Sequence, residues 1–360
     1  MGSIQKPRIY KFDNVRMFAI LLVVISSFAD GYTDSSDMFR SWFLFASSFV
    51  APLLIFLSGL LQKQYKAGDR FDLHRFSFYL IAGFALKLLV FGMRRASGEQ
   101  VGLTLFGGAT IEWYLFVLAM YMLTALAVGR FNRYAVITAA LTLGLLVGLT
   151  PLRDELYLSR YFVFMPFYFA GYYLTPMEVR RFSHKNHVKI AGLVFTVIYF
   201  VMCFRLRELL YPMRMLFTGR NPYAAVPIEG CTVYHRLLCY GISSVMVIAA
   251  VALFPNRRLP LWTKAGQNAI GVYFWHTPLL LALTAAGVFG MIDGLGDPLW
   301  KLTVLTLSVV CALVLAIPCF SWPLRKLYAL ICRMRDRTCA IVDGAVILIA
   351  VIAAAVFHVW

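Results

Sequence analysis

Five ionisable side chains sit inside or at the ends of long apolar runs: Arg16, Asp30, Lys87, Glu112 and His276. A charge at the centre of a lone membrane helix costs about 2.5–3.5 kcal/mol on insertion scales, so such groups are functional candidates by default. Arg16 opens the first run three residues after Asp13, and the two share a helix face. An interfacial ion pair is the plain alternative. Asp30 closes the same run, as a base or as a solvated loop residue. Lys87 lies deep in the third run, with a stem long enough to snorkel to the outer surface. Glu112 opens the fourth. His276 is in the middle of the ninth, within YFWHTPLLL. An imidazole titrates near neutrality, and a carboxylate is the other general base at hand. His276 and Asp30 thus have acid–base chemistry to offer, and Arg16 a fixed positive charge. The expected arrangement is a polar cavity through a helix core, lined by Arg16, Glu112 and His276, with Arg75 at its cytoplasmic side.

The elements that must position these residues are membrane helices. Of 360 residues, 61% are hydrophobic and 14% charged, against about 25% charged in a soluble domain. That excludes a soluble globular enzyme, a disordered chain and a fibrous repeat. The unbroken apolar runs also argue against an outer-membrane barrel, which alternates apolar and polar residues. Spans are expected near 14–32, 41–62, 76–93, 111–129, 134–150, 161–174, 190–204, 236–254, 268–290, 302–322 and 339–358. The fold class is all-α, a polytopic bundle of ten or eleven transmembrane helices, because backbone polar groups in lipid must be paired internally. Turn signals such as Gly68-Asp69, Thr150-Pro151 and Asp297-Pro298 separate the runs. Residues 1–322 read as a ten-helix core. Residues 323–360 read as a basic loop, Arg325–Arg337, followed by an appended helix.

The net charge of +17 comes from 34 Lys and Arg against 17 Asp and Glu. In a soluble protein it would suggest nucleic acid. Here the basic residues cluster between apolar runs, and topology explains them. Alternate loops counted from the N-terminus hold 21 basic residues and the opposite loops 11. The N-terminus is thus expected to be cytoplasmic, with Trp360 outside. The basic start lacks a small-residue cleavage site, so the first span is expected to be retained. Seven cysteines show no C-x-x-C spacing, and neither a disulfide framework nor a metal site is indicated. No H-E-x-x-H, P-loop or G-x-S-x-G string occurs.

Five strings, in order, resemble the membrane acyltransferase family 3, and within it the fucose 4-O-acetylase-like branch. They are FDNVRMFAILLVVISSF at 12–28, FLSGLL at 56–61, EWYLFVLAMY at 112–121, SRYFVFMPFYFAGYYL at 159–174 and GQNAIGVYFWHTPLL at 266–280. The first resembles the family's Asp-x-x-Arg start, and the second its Phe-x-Ser-Gly end of helix two, before a basic loop ending in His74-Arg75. The fourth and fifth carry most of the specificity.

The resemblance implies O-acyl transfer. An acyl group, acetyl by expectation, would pass from acyl-CoA to a hydroxyl of an extracytoplasmic polysaccharide or lipid-linked glycan. The protein would be a multi-pass plasma-membrane protein in contact with lipid, with no metal and no nucleic acid. The resemblance also places Ser58 and Trp113 near the cavity. It implies a catalytic His and Arg on the first helix, but the position of that His is Ser27 here. Asp30 and His276 are then the alternative bases; a Ser27 acyl-enzyme would need an adjacent base. Alternatively, the chain is a catalytically lapsed relative that binds or carries a glycan or lipid intermediate. A secondary transporter is a further class, against which the lack of paired broken helices counts.

Overall fold

A computed structural model describes residues 9–62, 64–65, 69–108 and 110–357. Among the described residues every regular element is helical. Lys6, Arg8, Lys63, Lys66, Gly68 and Trp360, used in the loop and turn readings, lie outside them. The α-helices in chain order are α1 (Tyr10–Asp30), α2 (Asp37–Ser47), α3 (Val50–Leu60), α4 (Leu73–Ala96), α5 (Trp113–Val128) and α6 (Arg133–Leu146). There follow α7 (Leu158–Tyr172), α8 (Pro176–His184), α9 (Asn186–Arg205), α10 (Arg207–Leu210), α11 (Arg214–Phe217) and α12 (Val233–Leu253). The last are α13 (Pro260–Gln267), α14 (Ala269–Ala285), α15 (Val288–Asp293), α16 (Leu299–Leu315), α17 (Pro318–Ile331) and α18 (Asp336–Phe357).

All eleven expected spans fall on helices. Six segments are long and apolar enough to cross a membrane: α1, the stretch Asp37–Leu60 that joins α2 to α3, α4, α9, α12 and α18. The pair α16 and α17 makes a seventh if its 46° bend is counted as one span. Three shorter apolar helices accompany them: α5, Arg133–Leu149 and α14. This is a multi-pass helical membrane bundle. The expected loop Arg325–Arg337 is a correction: Arg325 and Lys326 lie on α17, where Arg325 reaches back to Asn268 and Ser321.

Local sequence explains where helices begin. Asp72 caps α4 by accepting from the Arg75 N–H at 3.1 Å. Thr175 and Glu178 close a capping box on α8, with Pro176 at its first position. Burial then sorts the helices. Two-thirds of the apolar window of α1 is buried (67%), against 22% for α9 and α18. Outer faces such as Ile190, Leu193, Val197 and Ile198 on α9 are exposed apolar surface suited to lipid.

The core is in two clusters, and α1 supplies both. Its Phe12, Val15, Ala19 and Leu22 pack with α3, α7 and α12. Its Met17, Ile20, Val24 and Phe28 pack with α4, α14 and α16. The start of α1 is pinned from the side. Asn14 donates to the carbonyls of Pro255 (3.0 Å) and Arg257 (3.1 Å) and accepts from Thr263 (2.7 Å). Across the first cluster, α3 and α7 touch backbone to backbone. A Cβ on Gly59 would overlap the Tyr168 carbonyl oxygen, and one on Gly171 would overlap that of Phe56. Both glycines belong to strings that carry the family resemblance.

Candidate functional site

One face of α1 runs through the molecule as Arg16, Ile20, Val23, Ser27 and Asp30, spaced by three and four residues. Two cavities open along that face. The proximal one, about 250 Å³, is bounded by Arg16, Ile20, Leu57, Ser58, Tyr79 and Gln267, among others. The distal one, about 390 Å³, is bounded by Val23, Ser26, Ser27, Asp30, Arg94, Thr110, Trp113, Arg160 and Thr277, among others. Leu54, Tyr114 and Tyr273 are walls of both.

Those two tyrosines form a partition. Their rings lie 5.0 Å apart. The Tyr114 hydroxyl is 2.8 Å from Ser58 Oγ, which itself donates to the Leu54 carbonyl at 2.8 Å. The Tyr273 hydroxyl donates to the Ile111 carbonyl. Each ring is thus held at its tip, and the partition is a set of side chains rather than backbone.

Arg16 and Ser58 are therefore walls of the proximal cavity, while Ser27, Asp30 and Trp113 are walls of the distal one. Ser27 donates back to the Val23 carbonyl at 3.0 Å. Asp30 is exposed at the rim. Trp113 stacks on Phe164, with the Arg160 guanidinium 5.1 Å from its ring centre.

The other three candidates bound neither cavity. Arg75 donates to Gln62 at 3.1 Å, one helical turn before the wall residue Tyr79. Glu112 is fully buried, and its Oε1 accepts from Lys87 Nζ (2.7 Å), the Tyr157 hydroxyl (3.1 Å) and Thr110. Lys87 does not snorkel. Its ammonium is buried and also donates to the Gly107 carbonyl (2.5 Å) and Tyr157 (2.8 Å), which is cheaper than leaving the Glu112 charge alone. Glu112 holds in place the segment whose Thr110, Ile111 and Trp113 bound the distal cavity.

His276 is fully buried. Its Nδ1 faces the carbonyls of Tyr273 (2.7 Å) and Val272 (3.2 Å). Carbonyls only accept, so the neutral ring carries its proton on Nδ1 and its lone pair on Nε2. Nε2 is 3.4 Å from Thr277 Oγ1, and Thr277 is a wall of the distal cavity.

Sequence reasoning missed Arg160, Tyr114 and Tyr273. Arg160 had a signal: a guanidinium at the head of an aromatic-rich span, in SRYFVFMPFYFAGYYL. The tyrosines lie in strings that carry the resemblance, Tyr114 in EWYLFVLAMY and Tyr273 in GQNAIGVYFWHTPLL, but no residue pattern sets them apart from the other seventeen. Among the described residues no group of three His, Cys, Asp or Glu side chains gathers as a metal site, and no cysteine is paired.

The structure thus sets two cavities along one helix face of a membrane bundle, with Arg16 on one and Arg94, Arg160 and Thr277 on the other. The acyltransferase-domain family matches residues 9–319. The chain belongs to that family, and is an integral-membrane acyltransferase by membership. No curated protein and no solved structure matches it.

Proposed function

We propose that the protein moves an acyl group, acetyl by preference, from acyl-CoA to a hydroxyl of an extracytoplasmic polysaccharide or lipid-linked glycan. The observation that carries this is the pair of cavities on one face of α1, parted by the side chains of Leu54, Tyr114 and Tyr273. Arg16 and Ser27 are eleven residues apart, about 16 Å of helix axis, too far to touch one tetrahedral centre. Donor and acceptor therefore have separate ends. Arg16 and Gln267 receive the donor, and the distal cavity receives the acceptor. The resemblance to the fucose 4-O-acetylase-like branch supports a sugar acceptor, and the basic count supports a cytoplasmic donor side in a plasma-membrane setting.

In this reading the acceptor oxygen attacks the thioester carbonyl carbon at the partition. Its proton passes to Thr277, whose own proton passes to His276 Nε2. The Tyr114 hydroxyl, turned away from Ser58, donates to the developing oxyanion. The C–S bond breaks, and the thiolate takes up a proton to leave coenzyme A. Asp30 at the rim is the alternative base. The protein in lipid nanodiscs, given labelled acetyl-CoA and crude surface glycan, should place label in the glycan. Arg16→Ala should abolish it; no label from the wild type would sink the reading.

A second reading is a lapsed relative that binds a glycan or lipid intermediate without acylating it. Ser27 favours it, because its hydroxyl is engaged with its own helix where the family holds a His. Activity gained by Ser27→His, with none in the wild type, would select it.

A further inference from the structure

The geometry points to an anion subsite in the distal cavity, built on Arg160, that selects acceptors bearing a carboxylate or phosphate beside the acylated hydroxyl. This rests on the distal cavity receiving the acceptor. Arg160 is a cavity wall, yet its side chain is only 8% exposed. Its nearest carboxylate is Asp154, with Nη1 at 3.5 Å from Oδ1, and that Nη1 makes no hydrogen bond. Asp154 is held much more closely through its other oxygen by Arg220. Two guanidiniums thus share one carboxylate, and the one facing the cavity is the less compensated. Lys87 and Glu112, behind Thr110, cancel each other. Arg94 adds a second positive wall, itself 3.9 Å from Glu99. Asp30 is the negative wall, and it lies exposed at the rim. The plane of Trp113 holds Arg160 from one side, which leaves its edge for a bidentate anion. Such an anchor would hold the sugar ring near Thr277 by a group that does not react.

The test is binding, so that it does not depend on turnover. Methyl glucuronide, glucose 1-phosphate and the neutral methyl glucoside are titrated onto the protein in nanodiscs, read by ligand-observed NMR. One or both anions should bind roughly tenfold or more tightly than the glucoside, the usual worth of a charged hydrogen bond. The stronger of the two names the source of the charge. The preference should weaken with salt and vanish in Arg160→Gln. Asp154→Asn, which frees Arg160, should strengthen it, and serves if the first variant does not fold. Equal binding of all three sugars, or an anion preference unchanged by both variants, overturns the subsite. Absence of the preference in the wild-type protein, with acetyl transfer intact, would fault only the subsite. A preserved preference without any transfer would fault the acyltransferase reading instead.

Discussion

At the scale of single residues, the partition and the buried pair make opposite demands. Tyr114→Phe removes one hydroxyl and little volume. It should lower kcat about 10²–10³-fold if the phenol meets the oxyanion, with the protein's melting temperature nearly unchanged. A loss below threefold in acetyl transfer would assign Tyr114 to packing alone. His276→Ala should cost about 10²–10⁴-fold as removal of a general base. Thr277→Val should share that loss, because Thr277 stands between His276 and the cavity; full activity in Thr277→Val would break the relay. Glu112→Ala should act on stability, leaving the buried Lys87 charge unmatched at a cost of about 3–5 kcal/mol. Pairing Glu112→Leu with Lys87→Met should recover much of it. Thermal unfolding in nanodiscs reads both, and a single variant as stable as wild type would show the pair to be dispensable.

At the scale of elements, the glycines of α3 and α7 explain why two of the resemblance strings carry glycine where they do. Gly59→Ala and Gly171→Ala should each destabilise by about 1–3 kcal/mol through overpacking. Together they should cost less than their sum, since one separation of the helices relieves both overlaps. Gly241 on α12 has open space around it. Gly241→Ala should be neutral or gain about 0.5–1 kcal/mol from helix propensity, which makes it the control. Helix positions were legible in the sequence because long apolar runs leave the backbone no option but to pair with itself. The breaks were not. The expected span 41–62 divides near Ser48, whose Oγ turns back to the Phe45 carbonyl at 2.7 Å while Ser243 takes its own carbonyl. Such a break is set by a partner nearly two hundred residues away, which local pattern cannot report.

At the scale of the whole molecule, the legible part of the site was the stripe on α1. Arg16, Ser27 and Asp30 could be set on one helix from spacing alone. Which cavity each meets could not, because the walls come from α3, α4, α5, α7 and α14 as well. His276 looked like a cavity residue because it sits mid-span, but periodicity gives no direction to a side chain on a helix enclosed on all sides. Topology is the prediction that belongs here. In intact cells an impermeant thiol reagent should label Cys231, in the segment between α11 and α12, and should reach Cys332, after α17, only once the membrane is opened. The reverse pattern would invert the protein.

The α1 stripe has an electrical length. Arg16 and Asp30 are fourteen residues apart, about 21 Å of axis against about 30 Å of hydrocarbon. On the proposed reading a neutral thioester and a neutral hydroxyl react across that span. If the hydroxyl's proton leaves to solution on the acceptor side and the thiolate is reprotonated from solution on the donor side, one elementary charge has crossed the whole field. That is worth about 2.3 kcal/mol per 100 mV, so the reaction's equilibrium in sealed vesicles would shift roughly fiftyfold for each 100 mV applied. If His276 returns the proton to the thiol within the bundle, voltage has no purchase on the reaction. The route the proton takes along one helix thus decides whether the membrane potential is an energy term in the chemistry.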